Sequence, residues 1–118
     1  MNLGEIGLAC SKKLLKRNCN VIIATIPNSN QTFEELKKQL EDDLKEFRKD
    51  LWELQYLNLS SFDSVNQFVD KFKNSNRKID ILINNAAVFL APFGITEDGF
   101  ERHLSINYLG KLFDLINL

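Results

Sequence analysis

The stretch Ile79-Asp80-Ile81-Leu82-Ile83-Asn84-Asn85-Ala86-Ala87 decides the fold of this chain. Its first five positions are apolar on both faces of a pleated strand, broken only by Asp80, which is the pattern of a parallel strand covered by helices on both sides. Polarity changes abruptly at Asn84, and in open α/β sheets ligands bind at the carboxyl ends of the strands. The small side chains of Ala86 and Ala87 let a flat ring approach the backbone. The amides of Asn84, Asn85 and, further along on a helix, Asn107 offer donors and acceptors without charge. The run therefore reads as a buried strand forming the wall of a dinucleotide-binding cleft.

Working outward, strand-like runs alternate with helical patterns, the signature of βαβ units and a parallel sheet. Gly7 to Arg17 reads as a helix with Leu8, Leu14 and Leu15 available for burial and Lys12, Lys13, Lys16 and Arg17 solvated; Asn18 to Asn20 ends it. Val21 to Ile26 is a β-branched strand closed by Pro27-Asn28-Ser29-Asn30. Thr32 with Glu35 three residues on forms a capping box, and Phe33, Leu36, Leu40, Leu44 and Phe47 recur at helical spacing, so one stripe is apolar and the other face, with Lys37, Lys38, Glu41 and Asp42, is solvated. Leu54 to Leu59 is the next strand. Ser60 to Asp63 supplies caps for a helix that turns Val65, Phe68, Val69 and Phe72 inward. Asn74 to Lys78 is a polar turn, Ala91-Pro92-Phe93-Gly94 a loop, and Thr96-Glu97-Asp98 a helix start.

With 118 residues, 44% of them hydrophobic, and a formal net charge of -1, the chain is one small globular domain. No basic surplus is present to displace counterions from phosphates, which argues against nucleic acid as a partner. No stretch reaches the roughly 18 apolar residues of a membrane span, and the first residues lack a secretory pattern, so a cytoplasmic, reducing setting is expected. The two cysteines, Cys10 and Cys19, fit packing and loop positions rather than a disulfide framework, and no metal-ligand set is assigned.

Five segments in order carry a family resemblance: Glu5-Ile6-Gly7-Leu8-Ala9, Val21-Ile22-Ile23-Ala24, Leu54 to Ser60, the Asn-Asn-Ala-Ala run, and Asp98 to Gly110. Together the chain resembles the first part of a short-chain dehydrogenase/reductase. It is most similar to the branch of retinol dehydrogenases and WW-domain oxidoreductases. The resemblance implies an α/β fold, a partial Rossmann domain over residues 1–118, with a doubly wound parallel sheet lacking its first strand and its C-terminal half. In the strand order 3-2-1-4 the first strand is central, so its loss leaves two parallel edges without partners. Unpaired buried backbone groups cost about 1–3 kcal/mol each, so such a domain is expected to be marginal.

The resemblance also implies a nicotinamide dinucleotide, NADP or NAD, and a small lipophilic alcohol or ketone such as a retinoid or steroid as substrate of the parent enzyme. In the family's T-G-x-x-x-G-x-G turn, Ile6 and Gly7 match the last two positions, while Glu5 stands where the middle glycine belongs. Two readings of Gly4 stand side by side: a phosphate-turn glycine after a one-residue shift, or merely the start of a helix. At the end of the second strand, Ala24, Thr25 and Ile26 carry neither the acidic residue nor the arginine that normally sets cofactor choice. Asn58, with Leu59 beside it, replaces the aspartate that touches adenine, and its carbonyl remains able to accept from an amine. Asn85, Ala86 and Ala87 complete the expected cofactor set.

Of the family's catalytic residues, an asparagine, a serine and a tyrosine with a lysine four residues later, only the asparagine has a counterpart, Asn107. Tyr56 is followed by Ser60 at that spacing, and Tyr108 by Lys111 at three residues. Hydride transfer by this chain alone is therefore not expected. The lone histidine, His103, reads as a packing or surface residue, since no nucleophile or carboxylate completes a triad around it. Phe89, Phe93 and Phe100 fit core packing better than a substrate mouth. The competing readings are a non-catalytic module that pairs through an exposed sheet edge with a full-length homologue, as a homo- or hetero-oligomer, and an unstable fragment. A membrane-associated parent is compatible with the branch.

Overall fold

The computed structural model describes residues 3–118. The chain folds as two units, Met1–Tyr56 and Leu57–Leu118.

The first unit is a βαβ motif preceded by a helix. Helix α1 (Gly4–Leu15) starts three residues before the predicted Gly7 and ends at Leu15. Asn18 there adopts a left-handed φ of 58°, and the Cys19 N–H reaches back to the Leu14 carbonyl at 3.2 Å. Asparagine tolerates that conformation, and the reversed bond satisfies a carbonyl the helix leaves open. Strands β1 (Val21–Thr25) and β2 (Trp52–Tyr56) pair in parallel, with Val21 opposite Trp52 and Thr25 opposite Tyr56. A parallel pair needs a crossover, and α2 (Phe33–Asp43) supplies it.

The predicted capping box is present: the Glu35 N–H donates to Thr32 Oγ1 at 3.2 Å and the Thr32 N–H to Glu35 Oε2 at 2.8 Å. The apolar stripe of α2 buries Leu36 and Leu40. It continues past the helix end into Leu44 and the half-buried Phe47, so the spacing outlives the helix. These side chains close with Leu15 and Ile23 into the core of this unit. Each fully buried aliphatic there is worth about 1.5–3 kcal/mol, enough to hold a short two-stranded sheet. Phe33 meets Tyr56 edge-on at 6.0 Å. Strand β2 ends at Tyr56 rather than at the predicted Leu59, because β1 offers a ladder of only these five positions.

In the second unit, Leu57 and Leu59 are buried ahead of α3 (Phe62–Asn74), whose inward face is Val65, Phe68, Val69 and Phe72 as predicted. Ser61 caps α3 by accepting from the Ser64 N–H at 3.3 Å, and Asp98 Oδ2 accepts from the Phe62 N–H at 2.8 Å. Both fill donors that the first turn leaves unmatched.

Two predicted elements of this unit are absent. Ile79 to Ala87 is irregular, with a bend at Asp80, and forms no strand, and Ile81 and Ile83 are 66% and 49% exposed. A strand exists through its ladder, and among the described residues this run joins none; β1 and β2 pair only with each other. The backbone bond within the run is local, from the Asn85 N–H to the Ile83 carbonyl at 3.0 Å. Thr96-Glu97-Asp98 does not start a helix either. Gly99, at φ +83°, closes a tight turn in which the Gly99 N–H donates to Thr96 and the Thr96 N–H to Phe100, and Ile95 bridges Glu101. The helical stretch begins after Glu101 as α4 (Arg102–Leu104), widens into a π turn at Ser105–Leu109, and continues as α5 (Gly110–Asn117). Helix α5 packs on α3, with Phe113 stacked on Phe62 at 4.9 Å.

Candidate functional site

In the first unit the expected phosphate-binding residues form the amino end of α1. Gly4 has φ +65°, and a β-carbon there would meet open space. A side chain at that φ is strained, whereas the bare backbone can be approached closely, as an anion at a helix N-terminus requires. Gly7 is buried, and its carbonyl accepts from Ser11 Oγ at 2.9 Å. Ile6 is exposed, and so is Glu5, whose carboxylate stands in the first turn of the helix and opposes a phosphate there.

Beyond the carboxyl end of β1 an open hollow of about 530 Å³ is lined by Asn28, Ser29, Asn30, Gln31 and Glu35. Its lining is amides, a hydroxyl and one carboxylate. The Thr32 backbone N–H, together with its hydroxyl, holds the Glu35 carboxyl below its ordinary range. Sequence reasoning missed this hollow, because what builds it is the turn after Pro27 meeting the first turn of α2. The run of Asn, Ser, Asn and Gln was the available signal.

In the second unit the side chain of Asn58 is engaged locally. Its Oδ1 accepts from the Ser60 N–H at 3.0 Å and the Ser60 hydroxyl at 2.6 Å, while the Asn58 N–H donates to Ser64 Oγ at 2.9 Å. This is an Asx turn that leads the chain into α3. Both lone pairs of the carbonyl expected to meet an amine are therefore in use, and the Asn58 N–H₂ is the group left to face a ligand. Leu59 is buried, and its carbonyl lies against Gly110, where a β-carbon would come within 2.4 Å of it.

Asn107 sits in the π turn and clamps one residue of the preceding run. Its Oδ1 accepts from the Val88 N–H at 2.8 Å and its Nδ2 donates to the Val88 carbonyl at 2.8 Å. The amide thus pairs with the Val88 backbone as a neighbouring strand would, fixing the chain immediately after Asn85, Ala86 and Ala87. Wide π turns recur at functional positions because they re-aim a side chain without ending the helix. The sequence singled out Asn107, but its partner Val88 carried no signal, since the contact is made to backbone.

His103 and Glu101 form a pair at 2.8 Å, and Glu101 Oε2 also accepts from the Leu104 N–H at 3.0 Å. The histidine contact, with the backbone donors after it, pulls the Glu101 carboxyl down to about 2. The pair caps α4, so His103 is accounted for as a structural residue. Phe89 and Phe93, expected in the core, are 86% and 79% exposed, because the irregular run that carries them has no layer above it among the described residues; Phe100 does pack, at 5.6 Å from Phe62. Cys10 and Cys19 are both free. No group of histidine, cysteine and carboxylate side chains among the described residues is arranged to hold a metal, and no described helix is long and apolar enough to cross a membrane.

With this geometry in hand, comparison with known proteins defines the class. Residues 4–114 match the family model for short chain dehydrogenase, and the chain belongs to that family. It is 39% identical over 115 residues to human polyprenol dehydrogenase, covering 96% of this chain and 32% of that protein. It is 36% identical over 113 residues to mouse retinol dehydrogenase 13, covering 96% and 32%. A crystal structure of an uncharacterized protein from Mycobacterium Paratuberculosis superposes with a TM-score of 0.76 at 26% identity, covering 98% of this chain and 38% of that one. The chain spans about a third of the length of the curated relatives it matches. The α/β architecture with a parallel strand pair agrees with a partial Rossmann fold.

Proposed function

We propose that these residues are the cofactor-binding part of an NAD(P)-dependent oxidoreductase of a lipophilic alcohol or ketone, and that they do not transfer hydride alone. Relatives named polyprenol dehydrogenase and retinol dehydrogenase support the substrate class, retinoid-, polyprenol- or steroid-like. The observation that carries the reading is the Asn107 clamp on Val88, which fixes the backbone next to Asn85, Ala86 and Ala87, the residues proposed to meet a flat ring. The dinucleotide, when bound, supplies the hydride acceptor or donor. Gly4, Ile6 and Gly7 offer backbone to its phosphates at the amino end of α1. Asn107 is a positioning residue. The proton relay requires a tyrosine and a lysine four residues apart, and this sequence has no such pair.

A preference for NAD over NADP is part of this proposal and rests on the hollow after β1. Its lining residues include the Glu35 carboxylate and no lysine or arginine, so an extra 2′-phosphate there meets like charge.

The test uses the endogenous protein, captured with an antibody against α2. Its intact mass is measured, and it is assayed for dinucleotide-dependent oxidation of retinol and of a polyprenol. A product more than twice the mass of these 118 residues, active with NAD on either alcohol, is the expected result. A product of that larger mass that oxidises neither overturns the substrate reading. A product of only this mass favours a second reading, a non-catalytic module pairing with a full-length homologue. The exposed Ile81 and Ile83 motivate that alternative, and recovery of a full-length dehydrogenase with the captured chain tests it.

A further inference from the structure

The amino acid on α5 that does not belong to its surroundings is Asp114. It is 3% exposed, on the same helix face as Gly110, one turn further along. Gly110 itself presses on the Leu59 carbonyl. Asp114 Oδ1 has no hydrogen-bond donor among the described residues. A buried carboxylate oxygen without a donor is costly when the group is ionised, whereas the neutral acid is far cheaper.

The groups around it offer no rescue. The face of α3 turned inward is Val65, Phe68, Val69 and Phe72; the charged residues of α3, Asp63, Asp70, Lys71 and Lys73, are exposed. The π turn contributes only Tyr108 as a titratable group, and it too is exposed. On α5 itself Lys111 is half-exposed.

We propose that Asp114 is a proton-controlled latch: α5 seats fully against α3 when this carboxyl is neutral and loosens from it when the carboxyl is ionised. Burial pushes the carboxyl up from 3.8 to about 6, with no neighbouring charge contributing. The folded state therefore binds the proton more tightly than the unfolded chain does. The stabilisation it gives is complete below about 3.8, is lost progressively as pH rises toward 6, and is absent above that. The latch would act across the mildly acidic range in which ordinary carboxylates are already ionised.

The experiment follows the carboxyl carbon of Asp114 by NMR in the protein at the full length the cell makes, between pH 3 and 8, and measures amide exchange in α5 at pH 5 and pH 7.5 for the wild type and D114N. The expected midpoint is about 6. The wild type is expected to lose roughly tenfold in α5 protection between pH 5 and pH 7.5, after correction for intrinsic exchange, as the linked equilibrium requires. D114N, which carries a neutral isostere, should lose much less. A midpoint near 3.8, or the same loss of protection in D114N, overturns the proposal. Should D114N not fold, the wild-type midpoint decides alone.

Discussion

Replacing Gly110 with alanine sets two effects of opposite sign against each other. Gly110 begins α5 with φ -60°, an ordinary helical conformation, so alanine is allowed there by the backbone and gains about 1 kcal/mol of helix propensity. The added β-carbon, however, would stand 2.4 Å from the Leu59 carbonyl oxygen and 3.1 Å from the Leu59 β-carbon. Neither neighbour is the flexible end of a side chain. Reaching an ordinary contact of about 3.4 Å means opening the α5–Leu59 approach by roughly 1 Å, which disturbs the Phe113–Phe62 stack at 4.9 Å. Overpacking of this kind costs about 1–3 kcal/mol, more where the obstacle is backbone. The clash wins, and a net destabilisation of about 1–2 kcal/mol is expected. Urea unfolding followed by circular dichroism measures it, with G99A as the comparison. Gly99 lies in open space at φ +83°, so that substitution carries strain and no clash. An increase in the G110A midpoint, as propensity alone would give, refutes the packing argument.

Further outcomes follow from the same contacts. N107L removes two 2.8 Å bonds to Val88 while keeping the branching at the γ position, and is expected to cost about 1–2 kcal/mol, read as faster amide exchange at Val88 with little change in α3. T32A removes the Oγ1 that accepts from the Glu35 N–H, leaving the backbone half of the capping box in place, and should lower stability by about 1 kcal/mol without altering the β1–β2 pair, as circular dichroism and urea titration would show. The depressed Glu101 carboxyl contributes stability that is present above its ordinary 4.5 and lost as pH falls toward 2. Amides of α4 should lose protection over that interval in the wild type, and the E101Q variant should show no such step. If the hollow after β1 sets cofactor choice, I26R at the end of that strand should move dinucleotide preference toward NADP in the captured protein. An unchanged preference would remove the hollow from the argument.

Local signals in the sequence located most elements. Thr32 and Glu35 named the start of α2, and the Ser60 to Asp63 run placed that of α3, because a cap is a contact between residues three apart. The inward faces of α2 and α3 were legible for the same reason, since helical spacing records which side is covered. The failures are equally specific. Thr96-Glu97-Asp98 has the composition of a cap, but Gly99 bends the chain into a turn and Asp98 caps α3 instead, across a span of sequence no local rule covers. Asn58 was legible as a polar residue at a strand end, yet only its contacts with Ser60 reveal that its carbonyl is in use.

The sequence by itself determined the family, the alternation of strand and helix, the position of the amide-rich run and the importance of Asn107, because each is written in residue type and short-range spacing. Tertiary structure alone decided that Ile79 to Ile83 does not form a strand, that Asn107 grips Val88, that Gly110 abuts Leu59 and that Asp114 is buried with its Oδ1 lacking a donor. Those four depend on which backbone lies opposite which. A ladder, a clamp, a close approach and a desolvated charge are properties of pairs distant in the chain, and no single segment carries them.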